Sequence, residues 1–187
     1  MGYTHYFPQT RSFTTNEWNK ITATVHAMFH RCKQVAGPLG EDRPVICNDK
    51  ISFNGVGDES HETCVIYRNY NHEFNFCKTN QKPYDRYVTA TLIICNHFAK
   101  DALTISSDGE CSDWEEGLRM ATIFINGGLN QPISFPSCFK QHIDNTLEID
   151  EVIGSLEKLA SNGNPLHFIV GYLKRHVDSI KKEYANK

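Results

Sequence analysis

No apolar stretch in this chain approaches the length of a membrane span; the longest, such as Thr91 to Cys95, are far too short, so a membrane-crossing helix is not expected. The segment Met1 to Arg11 lacks the charged-then-apolar layout of a secretory leader, so a cytoplasmic location is expected. There is no excess of charge of one sign. Nineteen basic against twenty-two acidic residues give a net charge of -3, a field too weak to draw the chain to nucleic acid or anionic lipid. None of the seven cysteines (Cys32, Cys47, Cys64, Cys77, Cys95, Cys111, Cys138) sits in a C-x-x-C pair, and their number is odd. Free thiols, mostly packed as small hydrophobes, are therefore expected. His61 has no second histidine at metal-ligand spacing, which argues against a metal site there, and no motif calls for a cofactor. Repeats and low-complexity segments are absent as well.

What is present suits a globular fold. At 187 residues with 40% hydrophobic, 22% charged and 11% aromatic residues, the chain can bury a real core. A compact fold of this length removes roughly 70% of its unfolded surface from water. Thr14 followed by Glu17 is a capping box, and Trp18, Ile21, Val25, Met28, Phe29 and Cys32 then recur at helical spacing until Gly37-Pro38. From Pro44 to Thr79 short β-type runs (Val45-Ile46-Cys47, Ile51-Ser52-Phe53, Cys64 to Tyr67, Phe74 to Cys77) alternate with turn residues and predict an antiparallel meander. Pro83 can open a helix, and Tyr84 to Ala99, apolar on more than one side, predicts the most buried helix. A strand over Ala102 to Ser106 is expected next, then a helix capped by Ser112 and Glu115 and ended at Gly127-Gly128. Beyond a long connection over Leu129 to Asn145, two amphipathic helices are expected, marked by Ile149 to Leu159 and by Leu166 to Ile180. The fold class predicted is α+β: one compact domain, a short antiparallel sheet packed by helices, and two C-terminal helices. Residues 1–128 form the ligand-site core, and 129–187 the connection and helical pair, packed on the core or on a second subunit.

Polar residues gather in Gly2-Tyr3-Thr4-His5-Tyr6, in Phe53-Asn54-Gly55 with Ser60-His61-Glu62-Thr63, in Cys77-Lys78-Thr79 with Lys82-Pro83-Tyr84-Asp85, and in Ser106-Ser107-Asp108-Gly109. Together with Trp18, Phe76 and Trp114, these segments resemble a family of small bacteriophage and bacterial proteins that open with Met-Gly-Tyr-Thr-His-Tyr. The resemblance covers Met1 to about Ile125. It implies a phage-type protein working in the host cytoplasm, and it carries no activity with it. The chain departs from the pattern at Thr79-Asn80-Gln81-Lys82, where a second basic or small residue is expected, and the C-terminal helices lie outside it.

Each cluster has a functional and a plain structural reading. Lys78 and Lys82 flank a turn leading into a helix start, where their ammonium groups and helix N–H groups could hold a phosphate or carboxylate; a solvated lysine pair is the alternative. His61 beside Glu62 offers a base with an orienting carboxylate, although neighbours on a strand would point to opposite faces. Cys77 beside Lys78 offers an activated thiol, against a core cysteine that continues the Phe74-Phe76 strand. Asp108 suits a self-bonded turn, a ribose hydroxyl or acid-base work. Tyr3, Tyr6 and Tyr84 supply faces for stacking a base, while Thr4, His5, Asn54, His61, Thr63 and Thr79 supply donors and acceptors for its edge.

Two main functions follow. The first is capture of a small phosphorylated or nucleotide-like ligand, such as an immune signal made by an infected host, by Tyr3, Thr4, His5, Tyr6, Asn54, His61, Thr63, Lys78, Thr79, Lys82, Tyr84 and Asp108. The second is a hydrolase or transferase on a nucleotide or glycosidic substrate, with His61, Glu62, Asp85 or Asp108 as acid or base. A third reading makes the chain an interaction module, with the C-terminal helices forming a homo-oligomer or docking on a host protein.

Overall fold

The computed structural model describes residues Tyr3–Ile125. The connection and helical pair expected over 129–187, and the boundary drawn at 128, lie outside the described residues. The described elements run β1 (Thr4–Tyr6), α1 (Thr15–His30), β2 (Val35–Ala36), β3 (Val45–Ile46), β4 (Lys50–Gly55), β5 (Cys64–Tyr67), β6 (Phe76–Lys78), α2 (Asp85–Phe98), β7 (Ser106–Ser107) and α3 (Glu115–Ile125). Short 3-10 turns occupy Gly57–Glu59 and Cys111–Trp114. The fold is α+β, as expected, with two small antiparallel sheets and helices packed together.

α1 starts where the capping box places it. Glu17 N donates to Thr14 Oγ1 at 3.3 Å, and the Glu17 carboxylate accepts Thr14 N at 2.8 Å, so two otherwise orphaned donors are filled. Arg11 grips the same carboxylate through both terminal nitrogens at 2.9 Å each. The buried face is Trp18, Ile21, Val25, Met28 and Phe29, each large side chain contributing about 1.5–3 kcal/mol. The helix ends at His30, earlier than Gly37-Pro38 suggested, because Val35–Ala36 leave to pair with β4.

α2 is the central helix. Every residue from Tyr87 to Asn96 is buried, and the threonines among them are satisfied locally, Thr91 Oγ1 donating to Tyr87 O at 2.7 Å. No side chain caps its N-terminus, and Asp85 in the first turn complements the helix dipole. α3 crosses it closely at Gly117, where an added Cβ would stand 2.1 Å from Thr89 Oγ1.

Three expectations need correction. The meander holds only for β3-β4-β5; β6 pairs with β1 in a separate sheet of order β6-β1-β7. Hydrophobic patterning marks a strand but not its partner. The strand expected over Ala102–Ser106 shortens to Ser106–Ser107, with a single bridge from Leu103 to Gln9. The second capping box is formed by Glu110 and Asp113, and it caps the 3-10 turn Cys111–Trp114 rather than α3. Acidic side chains fill orphan donors as Ser and Glu would, two residues earlier.

Candidate functional site

The three-stranded sheet gathers most of the chemistry foreseen in the sequence and sorts it onto two faces. Thr4, His5 and Tyr6 of β1 stand opposite Lys78, Cys77 and Phe76 of β6, while His5 and Tyr6 also stand opposite Ser107 and Ser106 of β7. Residues directly opposite share a face, and faces alternate along each strand. His5, Cys77 and Ser107 therefore point inward. Thr4, Tyr6, Phe76, Lys78 and Ser106 belong to the outer face.

The outer face is aromatic and wet. Phe76 is 45% exposed, and Phe74, just before β6, is 64% exposed. The Phe74 ring lies 5.9 Å from that of Tyr6 and 6.3 Å from that of Phe76. The exposed Lys78 adjoins this cluster on β6, its ammonium group making no ion pair among the described residues. Asp108 closes the other side. Its backbone N donates to Thr4 O at 3.0 Å, its carboxylate accepts Thr4 N at 3.0 Å, and the Tyr6 hydroxyl lies 3.5 Å from the same carboxylate oxygen. The self-bonded turn expected at Asp108 does not form: its carboxylate is taken by Thr4 across the sheet, and the local turn bond runs from Gly109 N to Ser107 Oγ. Cys77 is buried, as the core-cysteine reading has it, and the two phenylalanines from which it alternates face solvent.

The inner face holds a chain of hydrogen bonds. His5 is fully buried, with Nε2 2.8 Å from Asp85 Oδ1 and Nδ1 2.9 Å from Ser107 Oγ. Thr79 Oγ1 donates to the same Asp85 oxygen, and Gly109 N donates to Ser107 Oγ at 2.9 Å. The imidazole is wedged edge-to-face between Trp114, at 5.1 Å, and Tyr3, at 5.2 Å. The Tyr3 hydroxyl is buried beside Asp113 and Ser107, directly over Gly109, where a Cβ would come within 2.1 Å of that oxygen. Burial, reinforced by the negative charges of Asp85 and Asp113, pushes the phenol well above its usual pKa, so it stays a neutral donor.

The remaining candidates hold the neighbouring loop. Asn54 is buried; its Oδ1 accepts Gly55 N at 2.8 Å and His61 N at 2.9 Å, and its Nδ2 donates to His61 O at 3.1 Å. Thr63 Oγ1 donates to Pro38 O. His61 and Glu62 precede β5 in irregular backbone rather than on a strand, so they are not forced to opposite faces. They clamp Lys78 together: the ring Nδ1 lies 2.8 Å from Lys78 O, and the Glu62 carboxylate accepts Lys78 N at 2.6 Å. Tyr84 is buried and donates through its hydroxyl to Glu62 O at 2.8 Å. Lys82 is committed elsewhere, donating to Asp58 O at 3.0 Å and lying 3.5 Å from Glu59. The turn between the lysines places Asn80 and Gln81 at φ 52° and 56°, which explains why a small residue suits this position better than Gln.

Sequence reasoning missed Phe74, Phe76 and Ser107 as site residues. The signal for the first two lay in the alternation Phe76-Cys77-Lys78, which puts an aromatic ring and a cation on one face. Among the described residues, no group of three His, Cys, Asp or Glu side chains could hold a metal ion, and no helix is long and apolar enough to cross a membrane. No protein-family model, curated protein or solved structure matches this chain.

Proposed function

We propose that the protein captures a small nucleotide-like ligand on the outer face of the β6-β1-β7 sheet. The observation that carries this reading is the solvent-facing cluster of Tyr6, Phe74 and Phe76 with Lys78 on the same face and Asp108 at its edge. Aromatic side chains that are free of the core offer flat faces to a base, a lysine beside them attracts a phosphate, and a carboxylate accepts hydroxyl protons from a sugar. The overall charge of -3 favours a small ligand over a polyanion, whose binding needs a broad basic surface. In a phage-type setting such a ligand is a nucleotide-derived signal of the host. Of the two lysines first considered, Lys78 takes the anionic role, because Lys82 already serves the Asp58-Glu59 turn.

The test is calorimetric titration of the full chain with a panel of mono- and cyclic nucleotides, followed by the same titration of Phe76→Ala and Lys78→Ala. Stacking on an aromatic ring contributes about 1–3 kcal/mol per base. A charge-assisted bond to phosphate contributes about 1.5–3 kcal/mol. Each variant is therefore expected to weaken binding about tenfold or more while keeping the wild-type melting temperature, since neither side chain fills the core. Unchanged affinity in both variants, or no binding by the native chain, refutes the assignment. Mass analysis of ligand released by heating shows whether it leaves intact, as capture requires.

A further inference from the structure

We infer that the inner face of the same sheet carries an acyl-transfer centre in which Ser107 is the nucleophile, His5 the general base and Asp85 the positioning carboxylate, with a small carboxylic ester as substrate. The three residues come from β7, β1 and the first turn of α2, and only the fold brings them into one line. Each hydrogen bond has the sense the chemistry needs. Asp85 Oδ1 accepts from His5 Nε2, which leaves Nδ1 as the acceptor facing the Ser107 hydroxyl at 2.9 Å. Thr79 fixes the carboxylate, and Trp114 and Tyr3 fix the ring plane. The roles match a serine–histidine–aspartate arrangement with the two imidazole nitrogens exchanged, and either nitrogen can act as the base.

Two further observations describe the surroundings of Ser107. The serine is half-buried at the end of an edge strand, and the residue two positions on, Gly109, donates its N–H to Ser107 Oγ at 2.9 Å. Beside that glycine the buried Tyr3 hydroxyl lies next to Ser107 and Asp113. In the first step the Ser107 oxygen bonds to the ester carbonyl carbon while its proton passes to His5 Nδ1, and the carbonyl electron pair moves onto oxygen. Collapse breaks the carbon–alkoxy bond, and the leaving alkoxide takes the proton from Nδ1 as an alcohol. Water then attacks the acyl-serine, giving its proton to Nδ1. The second collapse returns that proton to Ser107 and releases the carboxylic acid. The half-buried position of Ser107 restricts the acyl group to a short one. This centre does not depend on ligand binding at the outer face.

The full-length chain is treated with a fluorophosphonate probe at neutral pH and digested for peptide mass spectrometry, and p-nitrophenyl acetate hydrolysis is followed in parallel. Phosphonylation is expected at Ser107, with fluoride as the leaving group, and both labelling and hydrolysis are expected to vanish in Ser107→Ala. Asp85→Asn, which retains an oxygen acceptor, is expected to lower kcat about tenfold or more with KM unchanged, a split that simple loosening of the fold does not produce. An unmodified Ser107 in the native chain under conditions that label an authentic serine esterase overturns the proposal, as does labelling confined to other serines. Equal kcat in Asp85→Asn overturns the role of the carboxylate. Because the first readout uses the native protein, an unstable variant leaves the proposal falsifiable.

Discussion

Removing the Asp85 carboxylate is the sharpest probe of how the sheet is joined to the central helix. Both His5 Nε2 and Thr79 Oγ1 bond to one oxygen, Oδ1, and both donor residues are fully buried. Asp85→Ala leaves two buried donors without an acceptor, at about 1–3 kcal/mol each, and removes a favourable charge from the first turn of α2, worth about 0.3–1 kcal/mol. The Asp85 side chain is 14% exposed, so water can reach the vacated space and the lower half of that range applies. A loss of about 3 kcal/mol is expected, a large share of the roughly 5–15 kcal/mol that holds a domain folded. Asp85→Asn keeps an oxygen at the Oδ1 position for both donors and forfeits only the charge, so about 1 kcal/mol is expected. Urea unfolding followed by tryptophan fluorescence reads both, since Trp114 lies against His5. Equal losses in the two variants would refute the reasoning, because they would mean that the negative charge, and not the acceptor oxygen, holds the imidazole. A loss below about 1 kcal/mol in Asp85→Ala would show that water replaces the carboxylate.

Two further outcomes are expected. The Arg11 guanidinium, with the capping bonds from Thr14, holds the Glu17 carboxyl at about 2, below its ordinary 4.5. The folded-state pKa is depressed, so the stabilisation is present above about pH 4.5 and is lost as pH falls toward 2; Glu17→Gln should flatten that limb of the stability–pH curve measured by acid titration. Iodoacetamide at neutral pH should modify the exposed Cys47 before the buried Cys64, Cys77 and Cys95, and Cys77→Ser should keep ligand binding. Selective fast modification of Cys77 with parallel loss of binding would bring back the activated-thiol reading. Burial already pushes the Cys64 and Cys95 thiols above their ordinary pKa, which keeps them protonated and slow.

Local physics was legible in the sequence wherever the deciding atoms are close in the chain. The capping box of Thr14 and Glu17, the buried stripe from Trp18 to Phe29 and the all-round burial of α2 follow from hydrogen-bond stoichiometry and helical periodicity within a few residues. The break at Asn80-Gln81 belongs to the same class. Strand pairing does not. That β6 leaves the meander to lie against β1, across some seventy residues of chain, depends on which apolar faces the helices cover, and a period of two carries no information about the partner. This pairing decided the candidate site. It turned Phe76 and Lys78 to solvent, buried His5, and set Ser107 and Asp85 on either side of one imidazole, 102 and 80 residues away in the chain. The residue types that could bind or react were present in the sequence; which of them hold the fold and which face a ligand was set only when three short strands chose their register.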